Sequence, residues 1–294
     1  MARQKLGQHF LSDAGWRERI ARAVGVSPRS GSPANHGHES RADSSMEKSS
    51  SVDLPDRRER SYCWIEAGAG HGEMTEYLAS TGAAVYAIEL DKLLLAKLQR
   101  LTKKFANLTA VAGDILETDL AALAAGQRIR AYGNLPYYIT SPILHHFFAF
   151  ADQIDMIHIV IQEEVALRLT AKPHTRQYGY LSVAAQFYTR PEFVLHVPRE
   201  AFSPPPEVGS ALVTLRLPGE RAGLTLGDET EFLDFVKSCF SQKRKTLVNN
   251  LRAIATPAEV RKALGENNLR PDARAEQLSV SQFATLYRVL TASS

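Results

Sequence analysis

The chain has few cysteines and no long apolar segment. Its two cysteines, Cys63 and Cys239, lie far apart, which excludes a disulfide framework and the usual metal-ligand spacings and favours a reducing compartment. No run approaches the roughly 18 apolar residues that a membrane span needs. The first residues, MARQKLGQHFLSD, contain no apolar stretch that is typical of a signal peptide. We therefore expect a cytoplasmic protein without a membrane span, a signal peptide or a metal site.

A phosphate-binding loop of the form G-x-x-x-x-G-K-[ST] is also absent, as is a strong excess of either charge. The chain carries 35 Lys and Arg against 32 Asp and Glu, with a net charge of +3 and a pI near 8.8. This balance permits a nucleic-acid partner without requiring one. At 294 residues, 44% of them hydrophobic, the chain suits one large domain and one small domain.

Residues 27–60 differ in composition from the rest of the chain. Nine of these 34 residues are serine and five are apolar, so the segment cannot bury enough surface to offset the entropy of ordering it. We predict a disordered insertion. The alternative is a basic arm in which Arg57, Arg58 and Arg60 touch RNA.

Apolar strands alternate with helical patterns after this segment. Strands are predicted at 62–66, 84–90, 108–114, 128–134, 155–162, 193–197 and 210–217. Helices are predicted between them, beginning at Gly72 and after a cap at Asp91, and then at 142–150, 163–171 and 179–188. This order predicts an α/β fold with a parallel sheet covered by helices on both faces, and with the last two strands as an antiparallel pair at one edge.

Both ends of the chain are predicted to be helical. Ser12 can cap a helix that runs through about Val24. From about Gly219 only helical stripes continue, including helices at 244–254, 257–264 and 279–291. The chain is thus predicted to divide into a sheet-containing domain, 1–218, and a small all-α domain, 219–294.

Polar or glycine-rich residues follow four successive strands of the predicted sheet. The turn EAGAGHG at 66–72 follows the first, and Glu89, Asp114 and Asn134 end the next three. Open α/β sheets bind ligands at this carboxyl edge, where an acidic residue at the end of the second strand can accept both ribose hydroxyls. Because no phosphate-binding loop is present, S-adenosylmethionine fits this pattern better than ATP. Taken singly, Glu89 or Asp114 is more often a helix cap or a loop carboxylate, and it is the four in strand order that favour a cofactor site.

The segment Asn134-Leu135-Pro136-Tyr137 suits methyl transfer to an exocyclic amine. The side-chain oxygen of Asn134 and the carbonyl of Leu135 can accept hydrogen bonds from the amine of adenine, while Pro136 restricts the backbone and Tyr137 offers a stacking surface. The alternative is a strand that ends in an ordinary Asn-Pro turn.

Eight blocks of the chain resemble the small-subunit ribosomal RNA adenine-N6,N6-dimethyltransferases, the family known in bacteria as KsgA. They are KLGQHFLSD (5–13), EAGAGHGEMT (66–75), IELD (88–91), GD (113–114), GNLPYYITSPIL (133–144), FSPPPEVGSALV (202–213), CFSQKRKTLVNNL (239–251) and RAEQLSVSQF (274–283). The resemblance implies a Rossmann-like class I methyltransferase fold with a mostly parallel seven-stranded sheet and a helical C-terminal domain. It also implies an S-adenosylmethionine-dependent enzyme that methylates two adjacent adenines in a hairpin loop near the 3′ end of 16S rRNA, within the 30S subunit. We expect it to act as a monomer late in subunit assembly.

The resemblance also assigns roles to individual residues. Cofactor contacts are implied for His9, Leu11, Gly68, Gly70, Glu89, Leu90, Asp114, Ile115 and Asn134. Contacts with the target base are implied for Asn134, Leu135, Pro136, Tyr137 and Phe202. For RNA binding we select, by their charge, Arg3, Lys5, Lys243, Arg244, Lys245 and Arg252.

Three positions depart from the family pattern, and other functions stay open. Ala69 stands where proline is common, His9 where asparagine is frequent, and the insertion 27–60 has no counterpart that we recognise. A nicotinamide-dependent dehydrogenase would explain the alternating strands and Glu89, but it would not explain the NLPY segment. A large-subunit rRNA methyltransferase and a catalytically silent RNA-binding assembly or transcription factor are the remaining alternatives.

Overall fold

The computed structural model describes residues 9–26 and 61–291, so the insertion 27–60 and the predicted RNA contacts Arg3 and Lys5 lie outside the described residues. The described strands are Phe10–Leu11 (β1), Tyr62–Ala67 (β2), Ala84–Glu89 (β3), Leu108–Ala112 (β4), Arg128–Asn134 (β5), Ile154–Gln162 (β6), Arg190–Val197 (β7), Phe202–Ser203 (β8) and Ser210–Arg216 (β9). Seven of them form one sheet in the order β4-β3-β2-β5-β6-β9-β7. The other two, β1 and β8, form a separate antiparallel pair.

Helices connect these strands and continue beyond the last of them. Their bounds are Ala14–Ala23 (α1), Thr75–Ala79 (α2), Lys92–Leu101 (α3), Leu120–Ala124 (α4), Thr140–Ala149 (α5), Glu163–Leu169 (α6), Tyr180–Tyr188 (α7), Glu229–Cys239 (α8), Leu247–Asn250 (α9), Pro257–Glu266 (α10) and Val280–Thr291 (α11). Among these described helices, none is long and apolar enough to cross a membrane.

The sheet confirms the predicted strand arrangement. Strands β4, β3, β2, β5 and β6 pair in parallel, whereas β9 pairs antiparallel with both β6 and the edge strand β7. Alternate side chains point to opposite faces, as a strand requires. In β2, Cys63 and Ile65 pack into one hydrophobic cluster, and Trp64 packs into the other. The fold is therefore a mostly parallel, Rossmann-like sheet with a hydrophobic core on each face.

Two helix boundaries differ from the prediction at the N-terminal side of the fold. The cap of α1 is Asp13, whose carboxylate accepts a hydrogen bond from the Trp16 N–H at 2.8 Å, whereas the Ser12 hydroxyl donates to the Ala201 carbonyl. Helix α2 begins at Thr75 instead of Gly72, whose φ of +89° is incompatible with a right-handed helix. The predicted cap at Asp91 is confirmed, since its carboxylate accepts from Leu93 N–H and Leu94 N–H.

The predicted helix 244–254 is wrong in length. Only one helical turn forms, α9, and the two asparagines at its end explain why it stops. The Asn249 amide donates to the Thr246 hydroxyl at 3.0 Å, and the Asn250 amide donates to the Cys239 carbonyl at 2.6 Å. Such side-chain bonds compete with helical backbone bonding. The basic residues 243–245 consequently lie in an exposed turn before α9.

The C-terminal helices pack directly onto the sheet-containing part. One continuous hydrophobic cluster includes buried residues of β2, β5, β6 and α7 together with those of α8, α10 and α11. Phe187 of α7 contacts Phe232 of α8, with ring centroids 5.1 Å apart. The division into domains 1–218 and 219–294 stays a prediction, and the two parts share a core.

Candidate active site

The carboxyl edge of the parallel strands brings together side chains that are distant in sequence. A small cavity of about 50 Å³ lies there, between the glycine-rich turn after β2, the end of β3, the end of β5 and the N-terminal arm that contains β1. It is lined by His9, Phe10, Gly68, Gly70, Glu89, Asn134, Leu135, Pro136 and Tyr137. Eight of these nine residues were predicted as site residues, and Phe10 was not.

The glycine-rich turn lets the backbone approach the cavity closely. Gly68 and Gly70 have φ values of +67° and +61°, in the left-handed region that favours glycine. A Cβ atom added to Gly70 would lie 3.1 Å from the Phe10 ring. That ring also contacts His71, with centroids 4.3 Å apart. Phe10 therefore covers the turn from outside, a contact between distant segments that sequence spacing does not reveal.

Glu89 is buried, and it is held by the backbone around it. Its two carboxylate oxygens accept hydrogen bonds from the N–H groups of Gly70 and Asp91, each at 2.8 Å. A carboxylate has about four acceptor positions, so both oxygens retain capacity for a further donor. The arrangement fixes two hydrogen-bond acceptor oxygens at the cavity wall, as recognition of a ribose diol requires.

Asn134 is oriented by the N-terminal arm. Its side-chain nitrogen donates to the His9 carbonyl at 2.9 Å. Because a carbonyl can only accept, the amide nitrogen must face His9 and the amide oxygen must face away. Next to it, the Leu135 N–H donates to the Val160 carbonyl at 3.0 Å, and Pro136 has a φ of −57°. This segment thus presents one side-chain oxygen in a fixed direction.

Tyr137 is half-buried, with one ring face against His9. The two ring centroids are 5.6 Å apart with an interplanar angle of 29°, and the His9 Nδ1 lies 2.7 Å from the Pro204 carbonyl. The Tyr137 hydroxyl lies 2.9 Å from the Ser210 Oγ. Burial raises the pKa of Tyr137, so this hydroxyl stays protonated near neutral pH. Ser210 and Pro204 belong to the FSPPPEVGSALV block, from which the sequence singled out only Phe202.

Five predicted site residues do not line this cavity. Leu11 and Phe202 are buried opposite each other in the β1–β8 pair. Leu90 is 60% exposed, and Ile115 is buried at the start of a short turn after β4. Asp114 caps that turn by accepting from the Leu116 N–H at 2.9 Å. Their predicted ligand contacts stay predictions.

The floor of the glycine-rich turn contains a buried carboxyl group. Glu66 accepts a hydrogen bond from the Thr75 hydroxyl at 2.5 Å. Burial raises the pKa of Glu66 to about 8, although the bond from Thr75 acts in the opposite direction. Its place in the EAGAGHG turn is the one feature of the sequence that points to this group. Over the described ranges, no cluster of three or more His, Cys, Asp or Glu could hold a metal ion.

Four of the predicted RNA contacts can be located. Lys243, Arg244 and Lys245 are exposed in the turn before α9, and Arg252 is exposed just after that helix. Their role in RNA binding stays a prediction.

Solved structures share this fold. A dimethyladenosine transferase from Plasmodium falciparum aligns with a TM-score of 0.62 and 24% identity, over 76% of this chain and 88% of its own. The 23S rRNA methyltransferase ErmE aligns with a TM-score of 0.65 and 22% identity, over 96% and 99%. At these identities the likeness supports the fold alone.

Sequence relatives are more informative. A protein named ribosomal RNA small subunit methyltransferase A from Acidobacterium capsulatum is 42% identical over 228 residues, which are 77% of this chain and 80% of the relative. One of the same name from Xanthomonas euvesicatoria is 37% identical over 288 residues, which are 98% and 96% of the two chains. The profile of the family described as ribosomal RNA adenine dimethylase matches residues 1–292. With this match and these relatives, the chain belongs to the ribosomal RNA adenine dimethylase family.

Proposed function

We propose that this protein transfers methyl groups from S-adenosylmethionine to N6 of two adjacent adenines near the 3′ end of 16S rRNA, in the 30S subunit. The observation that carries the proposal is the orientation of Asn134. Its amide nitrogen donates a hydrogen bond to the His9 carbonyl, which leaves its amide oxygen free to accept a hydrogen bond from a substrate. Asn134 lines the same cavity as Tyr137 and Glu89. We propose further that the protein acts in the cytoplasm as a monomer.

The cavity residues fit the parts of the cofactor. Glu89 would accept from the ribose hydroxyls, Asp114 from the adenine amine, and the turn at Gly68 and Gly70 would lie against the methionine part. His9 and Leu11 would close the arm over it, with Leu90 and Ile115 flanking the adenine. The bound cofactor supplies a reactive methyl group, so the protein chiefly has to hold the acceptor nitrogen in line and exclude water.

The acceptor nitrogen needs help because its lone pair is delocalised into the adenine ring. The Asn134 oxygen and the Leu135 carbonyl would accept its two N–H hydrogens and favour a pyramidal nitrogen. The base has to leave its stack at a cost of a few kcal/mol. Stacking on Tyr137 would recover roughly 1–3 kcal/mol, and Phe202 is the second aromatic candidate.

No side chain is assigned as a general base. The Tyr137 hydroxyl remains protonated, as its burial requires. His145 stacks on Tyr180 with centroids 5.8 Å apart, and His146 lies 3.0 Å from the Thr118 carbonyl. Both histidines are therefore engaged in packing, and the proton can leave the amine after methyl transfer.

We propose that the N-terminal arm moves when ligands enter. A cavity of about 50 Å³ is far smaller than the roughly 300–1,000 Å³ of ordinary ligand sites. His9 also covers one face of the Tyr137 ring. A shift of residues 9–11 away from the carboxyl edge would make room for the cofactor and the base.

The proposal is tested with Asn134→Ala. Removing the amide oxygen removes one acceptor for the amine, so turnover on unmethylated small subunits should fall by about 10²-fold or more, while calorimetry should detect S-adenosylmethionine binding. Gln99→Ala, which removes an exposed amide from α3, serves as the control and should keep wild-type turnover. Wild-type turnover by Asn134→Ala would refute the assigned role.

The same assay separates the alternatives. Small and large subunits are offered in parallel with labelled cofactor. Label in 23S rRNA alone would assign the activity to the large subunit, and no label in either would favour a silent assembly factor.

A further inference from the structure

A cluster of cations lies where the sheet-containing part meets the C-terminal helices. Two segments with exposed central residues form it: 171–178, AKPHTRQY, between α6 and α7, and 241–246, SQKRKT, before α9. Neither contains Asp or Glu, and together they carry five Lys or Arg: Lys172, Arg176, Lys243, Arg244 and Lys245. We call these five side chains the junction surface. Two of them, Lys172 and Arg176, were not among the predicted RNA contacts.

Three hydrogen bonds fix the first segment to the C-terminal helices. The Lys243 ammonium donates to the Arg176 carbonyl at 2.5 Å, which brings the two segments together. The His174 N–H donates to the Glu276 carbonyl at 2.8 Å, and the Tyr178 hydroxyl donates to the Leu278 carbonyl at 2.9 Å. The two segments that carry the cations are therefore held against each other.

The backbone of the first segment is also strained. His174 has a φ of +69°, in the left-handed region that few side chains adopt. Such a conformation persists when surrounding contacts hold it, and strained residues are frequent at binding sites. Here the bond to the Glu276 carbonyl provides that contact. The turn is thus held in shape with Lys172 on one side of His174 and Arg176 on the other.

The cations of the junction surface have no acidic partners. All five side chains are exposed, and within the described part of the chain none is in an ion pair. By contrast, the nearby Arg168 pairs with Glu164, and Arg221 pairs with Glu229. Clustered cations without acidic partners attract a polyanion. When such cations bind phosphates, the counterions condensed on the nucleic acid are released, which favours binding.

We propose that Lys172 and Arg176, from the sheet-containing part, bind phosphates of the RNA backbone together with the predicted contacts Lys243, Arg244 and Lys245. RNA fits better than an anionic membrane because the exposed residues within the two segments are polar and offer no large apolar side chain for insertion. The proposal rests on the proposed function for the choice of RNA. It deepens that function, since both parts of the fold would hold one substrate and fix the target loop relative to the cavity.

The test compares two double charge reversals in the full-length protein. One is Lys172→Glu with Arg176→Glu. The matched control is Arg100→Glu with Lys103→Glu, two exposed and unpaired cations near the end of α3, which packs at the opposite edge of the sheet. Binding to unmethylated small ribosomal subunits is measured without cofactor, over a series of KCl concentrations. Calorimetry with S-adenosylmethionine reports whether each variant keeps its fold.

The junction variant should bind about tenfold more weakly than the wild type at low salt. The slope of log Kd against log salt should flatten by roughly 1.4 to 1.8, since two contacts are removed and about 0.7–0.9 is lost for each phosphate contact. The control should stay within about twofold of the wild type, because distant exposed charges are screened. Lys172→Gln with Arg176→Gln removes the two charges without reversing them, and its loss of binding affinity should be intermediate. This variant shows whether the effect of the charge reversal is due to a folding defect.

Equal binding by the junction variant and the control would overturn the proposal. So would a loss of binding to anionic lipid vesicles with unchanged binding to subunits. Because the assay contains no cofactor, its outcome does not depend on methyl transfer, and a failure of the proposed function would be seen separately in the labelling assay.

Discussion

Asn134 depends on its contact with a backbone group from the other end of the sheet-containing part. Its amide nitrogen faces the His9 carbonyl at 2.9 Å. In Asn134→Asp an oxygen would replace that nitrogen and face another oxygen at hydrogen-bond distance, so the contact would become repulsive. We expect the free energy of unfolding to fall by about 1–3 kcal/mol and the N-terminal arm to bind less tightly to the carboxyl edge.

Thermal unfolding and turnover of Asn134→Asp check this expectation. Asn134→Ala, which removes the acceptor without adding repulsion, is the comparison. If Asn134→Asp is the more stable of the two, the His9 carbonyl does not orient this side chain.

Glu66 makes stability depend on pH. Its pKa of about 8 in the folded protein exceeds its ordinary value of 4.5, so the folded protein keeps a proton that the unfolded chain releases between these values. The stabilising effect is complete below about pH 4.5 and is lost as pH rises towards 8, by at most about 1.4 kcal/mol per pH unit.

Glu66→Gln keeps the shape of the side chain and removes the ionisation. We expect its free energy of unfolding to change less than that of the wild type between pH 5.5 and 8, as measured by urea denaturation at several pH values. Parallel pH profiles for the two proteins would show that Glu66 does not titrate in this range.

The residues at the cavity were largely predictable, since parallel strands that alternate with helices bring their carboxyl ends to one edge. Gly68, Glu89 and Asn134 follow from that rule, and the structure places them together. Phe10 does not follow from it. Its contact with Gly70 joins segments that no local period relates, so sequence spacing carries no signal for it.

The β1–β8 pair brings Phe10 to the wall of the cavity. Phe10 and Ser203 are partners across its antiparallel register. Directly opposed residues lie at Cα distances of about 4.5–5.5 Å, which suit a disulfide. Cys63 and Cys239 are both buried and should not interfere.

An oxidised Phe10→Cys, Ser203→Cys double variant should fail to bind S-adenosylmethionine, because the arm could no longer leave the carboxyl edge. Reduction should restore binding, measured by calorimetry on the same sample. Ser203→Cys alone, treated with the same oxidant, is the control. Undiminished binding by the oxidised double variant would mean that the arm need not open.

For the helices, the apolar patterns predicted which segments are helical more reliably than they predicted the residues at which each helix begins and ends. The helices predicted at 257–264 and 279–291, observed as α10 and α11, and the cap of α3 at Asp91 were evident in the sequence. The shortening of α9 was not, because it depends on which carbonyls lie near Asn250 once the chain has folded. Helix ends depend on such tertiary bonds, whereas apolar spacing predicts only where a helix packs.

The shared core predicts that the whole molecule unfolds as one unit. Phe232 is fully buried against Phe187, and the two tryptophans, Trp16 and Trp64, both belong to the sheet-containing part. Phe232→Ala should therefore cost about 3–5 kcal/mol and lower the midpoint reported by tryptophan fluorescence, although the substitution lies in the helical part.

The control for Phe232→Ala is Ile254→Ala, since Ile254 also lies in the helical part and is 38% exposed. It should shift the midpoint little. A tryptophan transition that does not respond to Phe232→Ala would show that the two parts unfold independently, as the predicted domain boundary at 218 suggests.

The β1–β8 pair also has a consequence for the order in which the protein is made. His9 and Pro204, which meet in the folded chain, are 195 residues apart in sequence. The arm therefore leaves the ribosome well before β8, the strand that receives it. Until β8 has been translated, the carboxyl edge of the sheet in a nascent chain lacks this pairing. Long-range pairings of this kind form late in folding, so closure of the arm should be among the last events before the protein becomes competent.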